Sequence, residues 1–131
     1  MMLGENPSAT RSVRVLTIDD QAIFRSLARD VIEATPGFES VGDAANGEAG
    51  IEAVEKLGPD LVLLDVRMPG MSGIEVARRL VASHPHLVVV LISIEERIDV
   101  PSAAALKGIP LVRKQEFCPR LLRRLWAEYG R

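Results

Sequence analysis

The chain has 131 residues, 47% of them hydrophobic, which suits one ordinary domain with its own core and excludes a disordered segment. Lys and Arg number 16 against 18 Asp and Glu, a formal charge of −2 without a basic block, so direct nucleic-acid binding is not expected. The longest apolar run, Leu87 to Ile94, is too short to cross a bilayer, and the single cysteine, Cys118, cannot close an internal disulfide; a cytoplasmic protein without a membrane contact is expected.

Residues 1–12, MMLGENPSATRS, read as a loose polar leader without the apolar stretch of a secretory signal. VRVLTI (13–18) predicts the first strand, apolar on both faces. In the helix after it, Ile23, Leu27 and Val31 share one face with Phe24, Ala28 and Ile32 beside them, until Pro36-Gly37 stops it. FESVGDA (38–44) is a weaker strand, and the next helix starts near Asn46 and carries Ile51, Val54 and Leu57 inward to Gly58-Pro59. DLVLLD (60–65) is a second buried strand. Ser72 and Glu75 then have capping-box spacing, each expected to satisfy the other's backbone N–H, ahead of a buried stripe of Ile74, Ala77 and Val81.

LVVVLIS (87–93) is the third strongly apolar strand. A short fourth helix should follow, with Pro101 in its first turn and Gly108 as its C-terminal cap. The weak strand IPLVR (109–113) contains Pro110, which lacks the N–H that a central ladder needs, so it belongs at a sheet edge. The last helix runs from about Glu116 to Tyr129, with Leu121, Leu122, Leu125 and Trp126 apolar.

Strict alternation of strand and helix with right-handed crossovers implies an α/β, doubly wound, five-stranded parallel sheet. With the two weak strands at its edges, the order is the flavodoxin-like 2-1-3-4-5. Ligands of such sheets bind beyond the carboxyl ends of the strands, where the order reverses. Polar residues close the apolar runs at just these ends: Asp19 and Asp20, Asp65, Ser93 and Lys114. Singly these would be a helix cap, a solvated strand end, a loop hydroxyl and a surface lysine.

Three converging carboxylates repel by about 4 kcal/mol per close pair at an effective dielectric of 20, and Lys114 supplies one positive charge. An all-oxygen set points to Mg²⁺ for the remainder. His84 and His86 belong to the opposite end of the sheet and are assigned no ligand role. A carboxylate beside Mg²⁺, with a lysine and a hydroxyl around it, can attack a phosphoryl group. Asp65 is thus expected to become an acyl phosphate, with Lys114 and Ser93 against the phosphoryl oxygens.

TIDDQ, LLDVRMPGMSG and ANGEAGIEAV together resemble the receiver domain of bacterial two-component response regulators, the single-domain chemotaxis regulators among them. The likeness runs from about Val13 to Tyr129, within a receiver domain over 13–131, and rests most on Asp65, Met68, Pro69, Met71 and Gly73. It implies a (βα)5 receiver fold and phosphorylation of Asp65 by a sensor histidine kinase or phosphotransfer protein. It further implies Mg²⁺ held directly by Asp20, by Asp65, by Asp19 largely through water, and by the backbone carbonyl of Arg67. Ser93 would be the switch hydroxyl and Lys114 the phosphate-pairing lysine.

The pattern departs at Ile94, where alanine is usual, at Leu111, where Tyr or Phe is usual, and at Gln115, where proline is common. With no ring at 111, the signal is expected to leave through residues 94–107. A downstream partner or a second copy would then contact the face of helix 4, strand 5 and helix 5, at Leu111, Phe117 and Trp126. The expected protein is not an enzyme beyond its own phosphorylation and dephosphorylation, and carries no output domain after its last helix. Alternative readings are a Mg²⁺-dependent aspartyl-phosphate phosphatase, which would want an Asp where Arg67 stands, and a degenerate receiver acting as a scaffold.

Overall fold

A computed structural model describes residues 11–94 and 108–130. The leader ahead of residue 11, the predicted fourth helix and most of the 94–107 segment lie outside the described residues; Gly108 itself has φ +89°. The strands are β1 (Val13–Ile18), β2 (Phe38–Ala44), β3 (Leu61–Asp65), β4 (Val88–Ser93) and β5 (Leu111–Arg113). The helices are α1 (Ala22–Glu33), α2 (Gly47–Leu57), α3 (Gly73–Ser83) and α4 (Pro119–Tyr129), with a 3₁₀ turn at Lys114–Glu116. The predicted last helix thus begins three residues late, at Pro119, whose missing N–H is harmless in a first turn.

All pairings are parallel and the order is β2-β1-β3-β4-β5. The expected topology holds, and β5 is an edge strand. Pro110 sits just before β5, where its carbonyl accepts from Leu91 N–H at 2.9 Å.

Alternate residues of each strand feed two separate cores. Leu16, Ile18, Val62, Leu64, Val89 and Leu91 pack under α2 and α3, with Val54, Val76, Ala77 and Leu80. Val15, Leu61, Leu63, Val88, Val90 and Ile92 pack under α1 and α4, with Phe24, Ala28, Ile32, Phe117, Leu122 and Leu125. Helices on both faces explain why β3 and β4 are apolar up to their last residues, Asp65 and Ser93.

The helix faces decide one open choice and correct one expectation. Of the two adjacent stripes of α1, Phe24, Ala28 and Ile32 are buried, whereas Ile23 is 86% exposed and Leu27 49%. In α3 the buried set is Val76, Ala77 and Leu80, while Val81 is 44% exposed. The capping box is half formed. Ser72 Oγ accepts from Glu75 N–H at 3.3 Å, but Glu75 directs its two carboxylate oxygens to Arg78 at 2.7 Å and Arg79 at 3.1 Å. Two cations one turn along outcompete a neutral N–H for that carboxylate. Asn46 caps α2 as expected, accepting from Ala49 N–H at 2.8 Å.

Thr17, 1% exposed on the α1–α4 side of β1, has a hydroxyl without a hydrogen-bond partner among the described residues. Burying it unpaired is unfavourable by about 1 kcal/mol or more. Thr17→Val, which keeps the shape, should raise the thermal midpoint by a few degrees; a lower midpoint in calorimetry would show that the hydroxyl is satisfied.

Candidate functional site

The site grows from the carboxyl ends of β1, β3, β4 and β5. Asp65 is the last residue of β3, paired in register with Ile92, and Val66 N–H continues the ladder to Ile92 carbonyl at 3.0 Å. The first turn of α3 lies directly against it: Gly73 N–H donates to Val66 carbonyl at 2.9 Å. A Cβ at Gly73 would overlap the Asp65 carbonyl, so only glycine permits this approach.

Asp19 follows β1 and extends its pairing with β2 through Asp19 N–H to Ala44 carbonyl, 3.0 Å. It is fully buried. One carboxylate oxygen accepts from Gln21 N–H at 2.8 Å, and the other faces the Lys114 ammonium at 2.6 Å. Arg25, from α1, donates to the Asp19 carbonyl at 2.8 Å. Asp20 beside it is exposed.

Ligand oxygens of Asp19, Asp20 and Asp65 lie within 4.8 Å of one another. Lys114, 8% exposed, reaches in from the 3₁₀ turn after β5, its ammonium 3.7 Å from Asp65 Oδ2. Ser93, 4% exposed, closes β4 and pairs in register with Arg113, one residue beyond the partner of Asp65. Arg67 is exposed, and its backbone N–H donates to Asp65 Oδ1 at 3.4 Å. Ile94 is 58% exposed at the rim. The structure therefore brings together the acid triad, the lysine, the hydroxyl strand and the backbone of Arg67. His84 lies at the other end of the sheet, as read, with Nε2 3.0 Å from Glu55.

Of the three residues expected to form a partner face, Leu111 is 40% exposed, but Phe117 is buried, its ring centroid 6.3 Å from that of Phe24. Trp126 is partly buried against the same core. Phe117 is lost to that face because the 3₁₀ turn carries it inward.

Burial, then the charge of Asp19, pushes the Asp65 carboxyl up from 3.8 to about 7; Asp20 adds to this, while Lys114 and the Arg67 N–H oppose it. One ammonium does not balance three carboxylates, and the donors are all oxygen, so a hard divalent cation fits.

The sign of the linkage is set by a folded-state pKa above the unfolded one. Below about pH 4 both states hold the proton and Asp65 has no effect on stability. Between 4 and 7 the unfolded state ionises first, and stability falls as pH rises. Above 7 the whole penalty, on the order of a few kcal/mol, remains. Metal-free Asp65→Asn should therefore be more stable than the parent at pH 8, with the gap closing towards pH 4 in denaturant titrations. An equal gap at both pH values would contradict the shift.

Sequence reasoning missed Gln21, whose side-chain oxygen accepts from Lys114 at 3.2 Å, and Phe24, whose ring lies 4.8 Å beneath the ammonium. The available signal was position alone: Gln21 directly follows the acid pair.

Residues 15–122 match the family described as the response regulator receiver domain. A protein-glutamate methylesterase/protein-glutamine glutaminase from Anaeromyxobacter dehalogenans is 35% identical over 126 residues, 95% of this chain and 34% of that protein. The chain spans about a quarter to a third of the length of these methylesterase relatives. The NarL signal receiver domain from Mycobacterium tuberculosis superposes with a TM-score of 0.80 at 28% identity, over 92% of this chain and 99% of that one. The response regulator domain of Thermotoga maritima CheB gives 0.75 at 27%, over 89% and 96%.

Proposed function

The chain belongs to the response regulator receiver domain family, and from that premise we propose that it is a phosphorylation-operated signalling module with Asp65 as its phosphoacceptor. The observation that carries this reading is a buried carboxylate with two further acids within 4.8 Å and an ammonium 3.7 Å away. An Asp65 oxygen attacks phosphorus as the bond from phosphorus to the donor's leaving atom breaks, and the leaving group takes up a proton. Lys114 offsets the charge on the phosphoryl oxygens, and the Ser93 hydroxyl donates to one of them. Asp19, Asp20, Asp65 and the Arg67 carbonyl would hold Mg²⁺, which when bound supplies positive charge against the same oxygens.

The donor would be a sensor histidine kinase or a phosphotransfer protein. Ile23 and Leu27, exposed around a cavity of about 540 Å³ that Lys114 also lines, suit an apolar face on that donor. A downstream partner or second copy would use the β5–α4 edge, where Leu111 is exposed. Among the described residues no helix is long and apolar enough to cross a membrane.

Intact mass after incubation with Mg²⁺ and a small-molecule phosphodonor tests the reading: one phosphoryl group should be gained per chain. Repeated turnover of a generic phosphoester would mean a phosphatase instead, and no uptake a scaffold.

Ile94 bears on the rate. It lines the cavity beside Lys114 and Gln115, where its bulk limits the approach of donors and water. Ile94→Ala should speed phosphorylation, dephosphorylation or both by a few-fold in a mass-resolved time course. Unchanged rates in both directions would dismiss the shielding.

A further inference from the structure

We propose that Gln21 is a positioning residue that holds the Lys114 ammonium on the Asp19 side of the pocket and so favours the unphosphorylated state. This rests on the reading of Asp65 as phosphoacceptor. The ammonium is 2.6 Å from Asp19 Oδ2, 3.2 Å from Gln21 Oε1 and 3.7 Å from Asp65 Oδ2. The first is a close ion pair, the second a hydrogen bond, and the third a longer ion pair. The Phe24 ring, 4.8 Å from the ammonium, adds a cation–π contact and is itself packed against Phe117. Three of the four neighbours thus come from the junction of β1 and α1, and only one is the phosphoacceptor.

Gln21 reaches both members of the Asp19–Lys114 pair. Its backbone N–H donates to Asp19 Oδ1 at 2.8 Å, while its side chain accepts from Lys114, 93 positions away. It also occupies the N-cap of α1, yet its side chain makes no capping bond there. Asn, Asp, Ser or Thr would serve a cap better; the longer glutamine reaches the lysine instead.

A phosphoryl group on Asp65 brings up to about two negative charges. For Lys114 to move to it, the Gln21 contact must be given up. A contact present in one state and absent in the other biases the equilibrium by its own worth.

Gln21→Met keeps the side-chain length and removes the acceptor; the residue is exposed, so the full-length protein should fold unchanged. In the metal-free protein, the Lys114 Hε resonances, shifted by the Phe24 ring in the parent, should move towards ordinary lysine values. With Mg²⁺ present, the affinity for beryllofluoride, a phosphoryl mimic, should tighten about three- to tenfold, the worth of one ordinary hydrogen bond. Gln21→Glu retains an acceptor and should restore the lysine resonances without tighter binding. If Gln21→Met leaves both resonances and affinity unchanged, or weakens binding, the positioning role is wrong. If the parent itself binds no beryllofluoride, or Asp65→Asn binds it equally well, the phosphoacceptor reading fails instead.

Discussion

Asp65→Asn should take up no phosphoryl group from a donor that fully labels the parent. The substitution keeps the shape of the side chain and removes the nucleophile, since an amide oxygen carries no charge and its nitrogen has no available lone pair. The neighbouring acids offer no substitute in place. Asp19 has one oxygen on the Gln21 N–H and the other on Lys114, and Asp20 is exposed at the rim. Misfolding as the cause is checked by the denaturant titration, in which the metal-free variant should be more stable than the parent at pH 8. Lys114→Ala makes the useful contrast: it should still be labelled, but signal poorly. A single phosphoryl group on Asp65→Asn, read by intact mass, would move the acceptor elsewhere.

Gly73→Ala should be strongly disruptive although it adds a single methyl group. The added Cβ overlaps the Asp65 carbonyl oxygen and comes within 2.8 Å of its carbon and 2.9 Å of Val66 Cα. All three are backbone atoms, so no rotamer change relieves the clash. At Gly50, by contrast, the atoms in the way belong to the Ile18 side chain, which can rearrange. Either α3 lifts away from the sheet, losing Gly73 N–H to Val66 carbonyl, or the end of β3 shifts and takes Asp65 with it. A loss of about 3 kcal/mol or more is expected, together with much slower labelling of whatever remains folded. Denaturant titration and the labelling time course check the two halves separately. Stability within 1 kcal/mol of the parent, with normal labelling, would mean that the helix and strand are less tightly set than their contacts imply.

The sheet was readable in the sequence because β3 and β4 are uninterrupted aliphatic runs and Pro110 admits only an edge. The acid triad was readable because strand ends in a doubly wound sheet converge. The inward stripe of α1 was not, since Ile23–Leu27–Val31 and Phe24–Ala28–Ile32 are both apolar and lie one residue apart. The choice depends on what waits beneath, and Phe117 and the Lys114 ammonium suit a ring at 24. Glu75 was misread because its rivals, Arg78 and Arg79, are as near in sequence as the N–H it was expected to serve. Gln21 was overlooked because nothing local marks a partner 93 positions away.

The division of the interior into two cores gives the molecule a working half and a supporting half. Val15, Thr17 and Asp19 alternate along one side of β1, and Leu61, Leu63 and Asp65 along the same side of β3. The pocket is therefore an outgrowth of the core beneath α1 and α4, and Phe24 belongs to both. The core beneath α2 and α3 meets the pocket through the sheet, through Gly73, and through Val66 and Met68, which flank Arg67. Substitutions there should add to those in the other half instead of compounding them. Over evolutionary time, drift beneath α2 and α3 would alter how long each copy survives, while drift beneath α1 and α4 would retune how long each message lasts.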